Sequence, residues 1–235
     1  MFGGWLKCRQ QARQGGSAGC GYQNRNRTLG TFWSMKSLAF VLGLAVLVGC
    51  AQSPPRNTEN ACQLLAEKPG WYDAVNDAAD RWDVSEGLIL AFIRQESSFV
   101  ADAKPPRTKI LWVLPGPRAS SAYGYPQAKD GTWSDYRSAT NRYLAERDDF
   151  RDAADFVGWY VDRAHRIAGI PKSDAYRHYL AYHDGVGGFQ RGTFRSKRWL
   201  INVAERVNRQ ANVFDSQLNG CRDQLDSGAW WNPFS

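Results

Sequence analysis

LILAFIRQESSFVADA, residues 88–103, decides how this chain is read. Six consecutive apolar residues (Leu88, Ile89, Leu90, Ala91, Phe92 and Ile93) give way to small polar ones, with a carboxylate, Glu96, at the boundary. A carboxyl group at an apolar helix end loses solvation, and desolvation raises its pKa from about 4.3 toward neutrality. Such an acid stays protonated long enough to give its proton to a poor leaving group, and a glycosidic oxygen is the obvious one. Position alone does not decide the matter, because most glutamates at helix ends are solvated.

Working outward, the periodicity is helical almost throughout. Trp71, Val75, Ala78, Ala79 and Trp82 mark one face of a helix, and Ser85 is placed to cap the helix that carries Glu96. Residues 101–130 contain Pro105, Pro106, Pro115, Pro117 and Pro126 and read as a long irregular segment. A helix is expected from near Thr132. Ala153, Phe156, Val157, Tyr160, Val161, Ala164 and Ile167 form an apolar stripe that Gly169 and Pro171 stop. Ser173 is expected to cap a helix ending at Gly185, and residues 197–213 to form the last long one. There is no internal repeat and no convincing alternating strand run. The expected fold is all-α with at most minor β, in one domain spanning 61–225.

The formal charge of +7 suggests nucleic acid until its distribution is considered. Residues 1–49 hold six basic residues (Lys7, Arg9, Arg13, Arg25, Arg27 and Lys36) and no acid. Taking six from 30 leaves 24 basic against 23 acidic residues, a net of about +1 for the remainder. No nucleic-acid partner is expected. From Met35 the chain reads MKSLAFVLGLAVLVGC, which has the form of a signal peptide over 35–49. Its 11-residue apolar run, Leu38–Val48, is short for a permanent membrane span. Leu47-Val48-Gly49-Cys50 resembles the bacterial lipobox. That resemblance implies a lipidated Cys50, an N-terminal lipid anchor and, with Ala51 following, the periplasmic face of the outer membrane. Residues 1–34 read as an over-long gene start, the alternative being a genuine cytoplasmic extension. Residues 50–60 have linker composition and 226–235 form an aromatic tail. Cys62 and Cys221 remain, near either end of the domain, and in an oxidising compartment they read as a disulfide, two unpaired thiols being the alternative.

Glu96-Ser97-Ser98-Phe99, then Ala122-Tyr123-Gly124-Tyr125-Pro126-Gln127, then Ala181-Tyr182-His183-Asp184-Gly185 resemble, in order, the three motifs of the soluble-type lytic transglycosylases, roughly E-S-x-F, A-x-G-L-M-Q and A-Y-N-A-G. The resemblance covers about residues 70–215. It implies a lysozyme-like helical fold and cleavage of peptidoglycan glycan strands, with Glu96 as single acid and base and a 1,6-anhydromuramyl product. It further implies that Ser97 orients Glu96 or a sugar substituent, that Gln127 holds substrate near the scission point, and that Tyr182 stands over Glu96 with its hydroxyl polarising the acid. Tyr125-Pro126 replace Leu-Met and are expected to reshape the wall beside the acid. His183 stands where Asn is usual and Asp184 where Ala is usual.

Asp184 is either a second catalytic carboxylate or a cap for the glycines that follow. Two readings therefore stand beside transglycosylation: a muramidase in which Asp184 or Asp102 directs water, and a peptidoglycan-binding lipoprotein without turnover. The segment between Glu96 and Gln127 is about a dozen residues longer than usual. Its Lys104, Arg107, Lys109 and Trp112 face either peptide stems and lactyl groups or solvent alone. Trp112 and Trp133 are the candidates to stack on sugars, whereas Trp71, Trp82 and Trp159 read as core. His165, His178 and His183 lack metal-ligand spacing, so no metal and no cofactor is expected. Cell-wall and secretion-machinery proteins are the candidate protein partners.

Overall fold

Local capping sets where half of the helices begin. Asn60, Ser85, Asp149 and Asp174 each accept a hydrogen bond from a backbone N–H one turn ahead, which satisfies a donor the helix itself cannot pair. In this computed structural model, which describes residues 53–110 and 114–228, the helices are α1 (Ala61–Glu67), α2 (Trp71–Trp82), α3 (Glu86–Ser97), α4 (Asp130–Thr140), α5 (Phe150–Ala168), α6 (Ala175–Asp184), α7 (Val186–Arg191) and α8 (Arg198–Ser227). The leader, the signal segment, Cys50, Trp112 and residues 229–235 lie outside the described residues.

The fold is all-α apart from one small ribbon, β1 (Arg107–Ile110) and β2 (Leu114–Arg118), paired antiparallel. This corrects the expectation of an irregular segment without strands. Pro115 and Pro117 argue against a central strand, but in a two-stranded ribbon each strand is an edge and needs partners on one side only. Thr108 Oγ1 donates to Pro117 O across the ribbon at 2.8 Å.

Helix α8 begins where expected and runs on to Ser227, well past 213. Its buried residues, Leu200, Ala204, Val207, Ala211, Phe214, Leu218 and Cys221, recur every three or four positions and lay one continuous seam against the domain. The seam packs chiefly on α3 and α6, while α2 packs on α5. Gly87 permits the α3–α8 approach, since a Cβ there would lie 2.5 Å from both Ala211 O and Asp215 Oδ1. At the far end of the seam the Cys62–Cys221 disulfide ties α1 to α8, with Cα atoms 6.2 Å apart and a sequence separation of 159. Closing so long a loop is worth roughly 4–5 kcal/mol on the chain-entropy model.

Three local expectations change. Asp174 rather than Ser173 caps α6, its carboxylate accepting from Arg177 N. Ile167 is half exposed rather than core, being in the last turn of α5 beyond the end of the packed stripe. Trp133 is no sugar platform: it is 5% exposed, its ring centroid lies 5.1 Å from that of Phe156, and its indole N–H donates to Ala145 O.

Within the apolar stripe of α5 stands Asp155, a buried carboxylate with a full set of donors. Tyr136 Oη donates at 2.7 Å and Trp82 Nε1 at 2.9 Å, with Arg142 at 3.1 Å and Arg81 at 3.2 Å. It joins α2, α4 and α5 at one point. Removing it orphans the buried Tyr136 hydroxyl and the half-buried Trp82 indole N–H and takes the counter-charge from Arg81, while Arg142 keeps Asp152. Asp155→Ala is therefore expected to cost about 3–5 kcal/mol of unfolding free energy in a urea titration.

Candidate active site

Glu96 reaches the surface because its helix ends abruptly. Ser98 and Phe99 both take left-handed backbone angles, φ 51° and 62°, which turn the chain back and drop Phe99 fully into the core. The carboxyl group is left partly buried at the mouth of a cleft of about 450 Å³, which Gln127, Lys129, Phe156, Tyr160, Tyr182, His183 and Asp184 also line. Desolvation pushes the Glu96 pKa from 4.5 up to about 7, against the opposing hydrogen bond that Tyr179 Oη donates to Oε1 at 2.8 Å. Burial raises the Tyr179 pKa far above the ordinary tyrosine value, and the neighbouring carboxylate adds to it, so Tyr179 remains a phenolic donor.

Tyr179 is thus the tyrosine that addresses the acid, which corrects the assignment to Tyr182. The two stand one helical turn apart on α6 with ring centroids 6.5 Å apart. Tyr182 instead donates to Pro126 O at 2.5 Å and forms cleft wall with Tyr160, backed from the core by Phe92. A motif match marks the face of α6 but not which of two tyrosines on it reaches the carboxyl. The spacing Tyr179-x-x-Tyr182 was the available signal.

Gln127 lines the cleft in a left-handed conformation, φ 47°. Its amide nitrogen donates to Ala103 O and Gly124 O, both at 2.8 Å, which orients the side chain and leaves its carbonyl oxygen to accept. Gly124 is required just before it: φ is 76°, and a Cβ would lie 2.1 Å from Arg147 O. Ser97 faces inward, its hydroxyl donating to Ile93 O one turn back at 3.1 Å. Tyr125 is fully buried between Trp71 and Phe150, so it shapes the loop from beneath and does not touch the cleft. The expectation that it lines the substrate wall is corrected, because the turn at Gly124 directs its ring into the core.

The two carboxyl groups of the cleft differ in state. Asp184 is held by Lys197 Nζ at 2.6 Å, Thr193 Oγ1 at 2.7 Å and His183 Nδ1 at 3.1 Å, with its side chain 1% exposed. Burial pushes its pKa up, but those hydrogen bonds outweigh burial and bring it down to about 2. It fastens the third motif to the start of α8 rather than presenting a free carboxylate. Asp102, on the turn after α3, is exposed and does not line the cleft. His183 closes one end of the cleft with its ring edge-on to Trp199, centroids 4.9 Å apart, and Trp199 is 55% exposed. Lys129, Phe156, Tyr160 and Trp199 were not singled out by the motifs.

A larger hollow of about 770 Å³ lies elsewhere, lined by Asp80, Asp83, Glu86, Asp215, Lys172 and Arg222 among others. Several of its charges are already committed. Glu86 pairs with Arg222 at 2.5 Å, Asp215 accepts from Gly87 N, and Lys172 pairs with Asp162. The cleft at Glu96, with its apolar wall and its acid of raised pKa, is the candidate active site.

Because the Glu96 pKa is raised on folding, its protonated form contributes stability below about pH 4.5, and that contribution is lost as pH rises through 7. Above that window the ionised carboxylate costs about 3 kcal/mol relative to an uncharged isostere. Glu96→Gln is expected to stabilise the domain by that order at pH 8 and to leave it unchanged at pH 4, as read by urea unfolding at the two pH values.

Comparison with known proteins bears on this geometry. Neither a curated protein nor a solved structure matches the chain. The family model described as transglycosylase SLT domain matches residues 38–221, most of the chain and all of the cleft. The chain belongs to the transglycosylase SLT domain family.

Proposed function

We propose that this protein is a peptidoglycan lytic transglycosylase that uses Glu96 as its single acid and base. Glu96 gives its proton to the glycosidic oxygen between N-acetylmuramic acid and N-acetylglucosamine as the bond from C1 to that oxygen breaks. The resulting carboxylate then takes the proton of the muramic acid C6 hydroxyl while that oxygen bonds to C1. The product is a 1,6-anhydro ring, no water is consumed, and Glu96 ends protonated as it began. The intramolecular attack gains from effective molarity.

The observation that carries this reading is the contrast between the two cleft carboxyls. Glu96 titrates near 7 beside a phenolic donor, whereas Asp184 is ionised and saturated by Lys197 and Thr193. A hydrolase ordinarily has a second carboxylate free to act as nucleophile or to activate water, and neither Asp184 nor Asp102 is placed for that work. Gln127 holds substrate through its free carbonyl oxygen, Tyr182 and His183 form the sugar-facing wall, and Ser97 acts through the helix end that aims Glu96. The enzyme is carried as a lipoprotein, acylated at Cys50, on the periplasmic face of the outer membrane. This localisation rests on the lipobox-like Leu47-Val48-Gly49-Cys50.

The deciding experiment is a digest of purified sacculi analysed by mass spectrometry. Muropeptides lighter by one water are expected, and Glu96→Gln should reduce their release by about 10²–10⁴-fold. Reducing-end products would overturn the transglycosylase reading in favour of hydrolysis. Bound sacculi without any fragments would favour a binding lipoprotein. With Glu96 required protonated in the free enzyme, kcat/KM is expected to fall as pH rises through about 7. Tyr179→Phe removes the hydrogen bond that holds this pKa down, so the inflection should move to higher pH while the maximal rate falls roughly tenfold. Tyr182→Phe should leave the inflection in place.

A further inference from the structure

The segment from Ala103 to Lys129 contains five basic residues, Lys104, Arg107, Lys109, Arg118 and Lys129, and no acidic one. The 23 acidic residues of the chain all lie elsewhere. This segment rims the cleft: Pro105, Ser120 and Lys129 line it beside Glu96. Arginines in the rest of the domain are widely paired with carboxylates, as at Arg81, Arg94, Arg142, Arg147, Arg151, Arg166 and Arg222. Among the described residues, Lys104, Arg107, Arg118 and Lys129 enter no salt bridge.

The ribbon adds an independent observation. Its register sets Arg107 directly opposite Arg118, and both side chains are exposed. Like charges facing one another across a strand pair destabilise it, and among the described residues no carboxylate pairs with either. The pair is nonetheless held at the cleft rim, because Arg118 Nη1 donates to Pro105 O at 2.6 Å and Pro105 lines the cleft. Lys104, next in the chain, sits over the Tyr123 ring at 5.1 Å, which positions its ammonium on the same rim. Two guanidinium groups side by side suit a carboxylate, which each can engage with paired N–H donors.

We infer that Arg107 and Arg118, with Lys104 beside them, form a carboxylate-binding arm that recognises the peptide stems of the glycan strand lying in the cleft. This rests on the proposed action on peptidoglycan, whose stems carry several free carboxylates while its sugar rings carry none. A cleft of about 450 Å³ lies toward the lower end for a ligand site, so substituents projecting from the strand must lie over its rim. The arm makes engagement depend on the stem as well as the sugar, and makes that dependence sensitive to salt.

The test measures binding by isothermal titration calorimetry to a Glu96→Gln background, which separates recognition from cleavage. The probes are a disaccharide-tetrapeptide, the same disaccharide freed of its peptide, and neutral chitobiose. The stem-bearing probe is expected to bind about tenfold more tightly than the other two at low salt, with the preference shrinking at 300 mM salt. Arg107→Gln with Arg118→Gln should abolish the preference while leaving affinity for chitobiose unchanged. Arg107→Lys with Arg118→Lys should retain part of it. Equal binding of all three probes, or an equal loss across them in the double variant, would overturn the inference. Tighter binding of the peptide-free disaccharide, whose lactyl carboxylate is uncovered, would assign the arm to the lactyl group and overturn the stem assignment. A stem preference in a protein that releases no fragments from sacculi would leave the arm standing and remove the catalytic reading. Fragments without a stem preference would do the reverse.

Discussion

Everything in the cleft depends on one carboxyl group being kept away from water. Glu96 can titrate near 7 only while α3, α6 and α8 stay packed together, since α3 supplies the acid, α6 supplies Tyr179 and α8 backs both. Loosening any of these contacts admits water and returns the pKa toward its ordinary value. The features that hold this packing are distant from the cleft. Gly87 lets α8 approach α3, Asp155 ties α2, α4 and α5, and the Cys62–Cys221 bond pins the end of α8 to α1. The desolvation that tunes the acid is a property of the whole helical packing, delivered at one side chain.

The electrostatics of the third motif follow from the same constraint. A second free carboxylate beside Glu96 would raise its pKa further and compete for its proton. Asp184 avoids this because Lys197 and Thr193 saturate it and its charge is spent on holding the 3₁₀ turn Thr193–Ser196 and the start of α8. The residues that depart from the family motif, His183 and Asp184, therefore work as a pair: one anchors, and the other faces the cleft against Trp199. The departures leave the acid undisturbed and alter the end of the cleft.

How far the sequence discloses this is uneven, for physical reasons. Glu96, the helical stripe of α5 and the cysteine pair were legible because each is a local or compositional signal: an acid after an apolar run, a 3.6-residue period, two cysteines left over. Tyr179 was not, because Tyr179 and Tyr182 share a helix face and only the tertiary approach of α3 decides which hydroxyl reaches Oε1. Tyr125 and Trp133 illustrate the converse: aromatic residues near a motif carry no sign of whether they point into a cleft or under it, and here both point under. The ribbon was hidden because its two prolines argue against strand structure, and only the absence of a neighbour on each outer edge removes that objection. Asp155 carries no mark inside an apolar stripe, because its four donors come from α2, α4 and the turn after α4.

Among the described residues, two local rules are broken at the cleft. Glu96 is an ionisable group placed where its charge is unwelcome, and Arg107 faces Arg118 where a pair of opposite charges would stabilise the ribbon. Elsewhere among the described residues many arginines are paired with carboxylates and four helices carry side-chain caps. The second violation has the sign that a ligand would correct, and the first sets the protonation state that a leaving oxygen would use. A protonated acid awaits a basic oxygen, and an unrelieved pair of cations awaits a carboxylate. A glycan strand bearing acidic stems offers both groups on one molecule. On the proposed reading a bound stem would relieve the paired cations, whereas Glu96, uncharged while protonated, has its charge deferred to the chemical step.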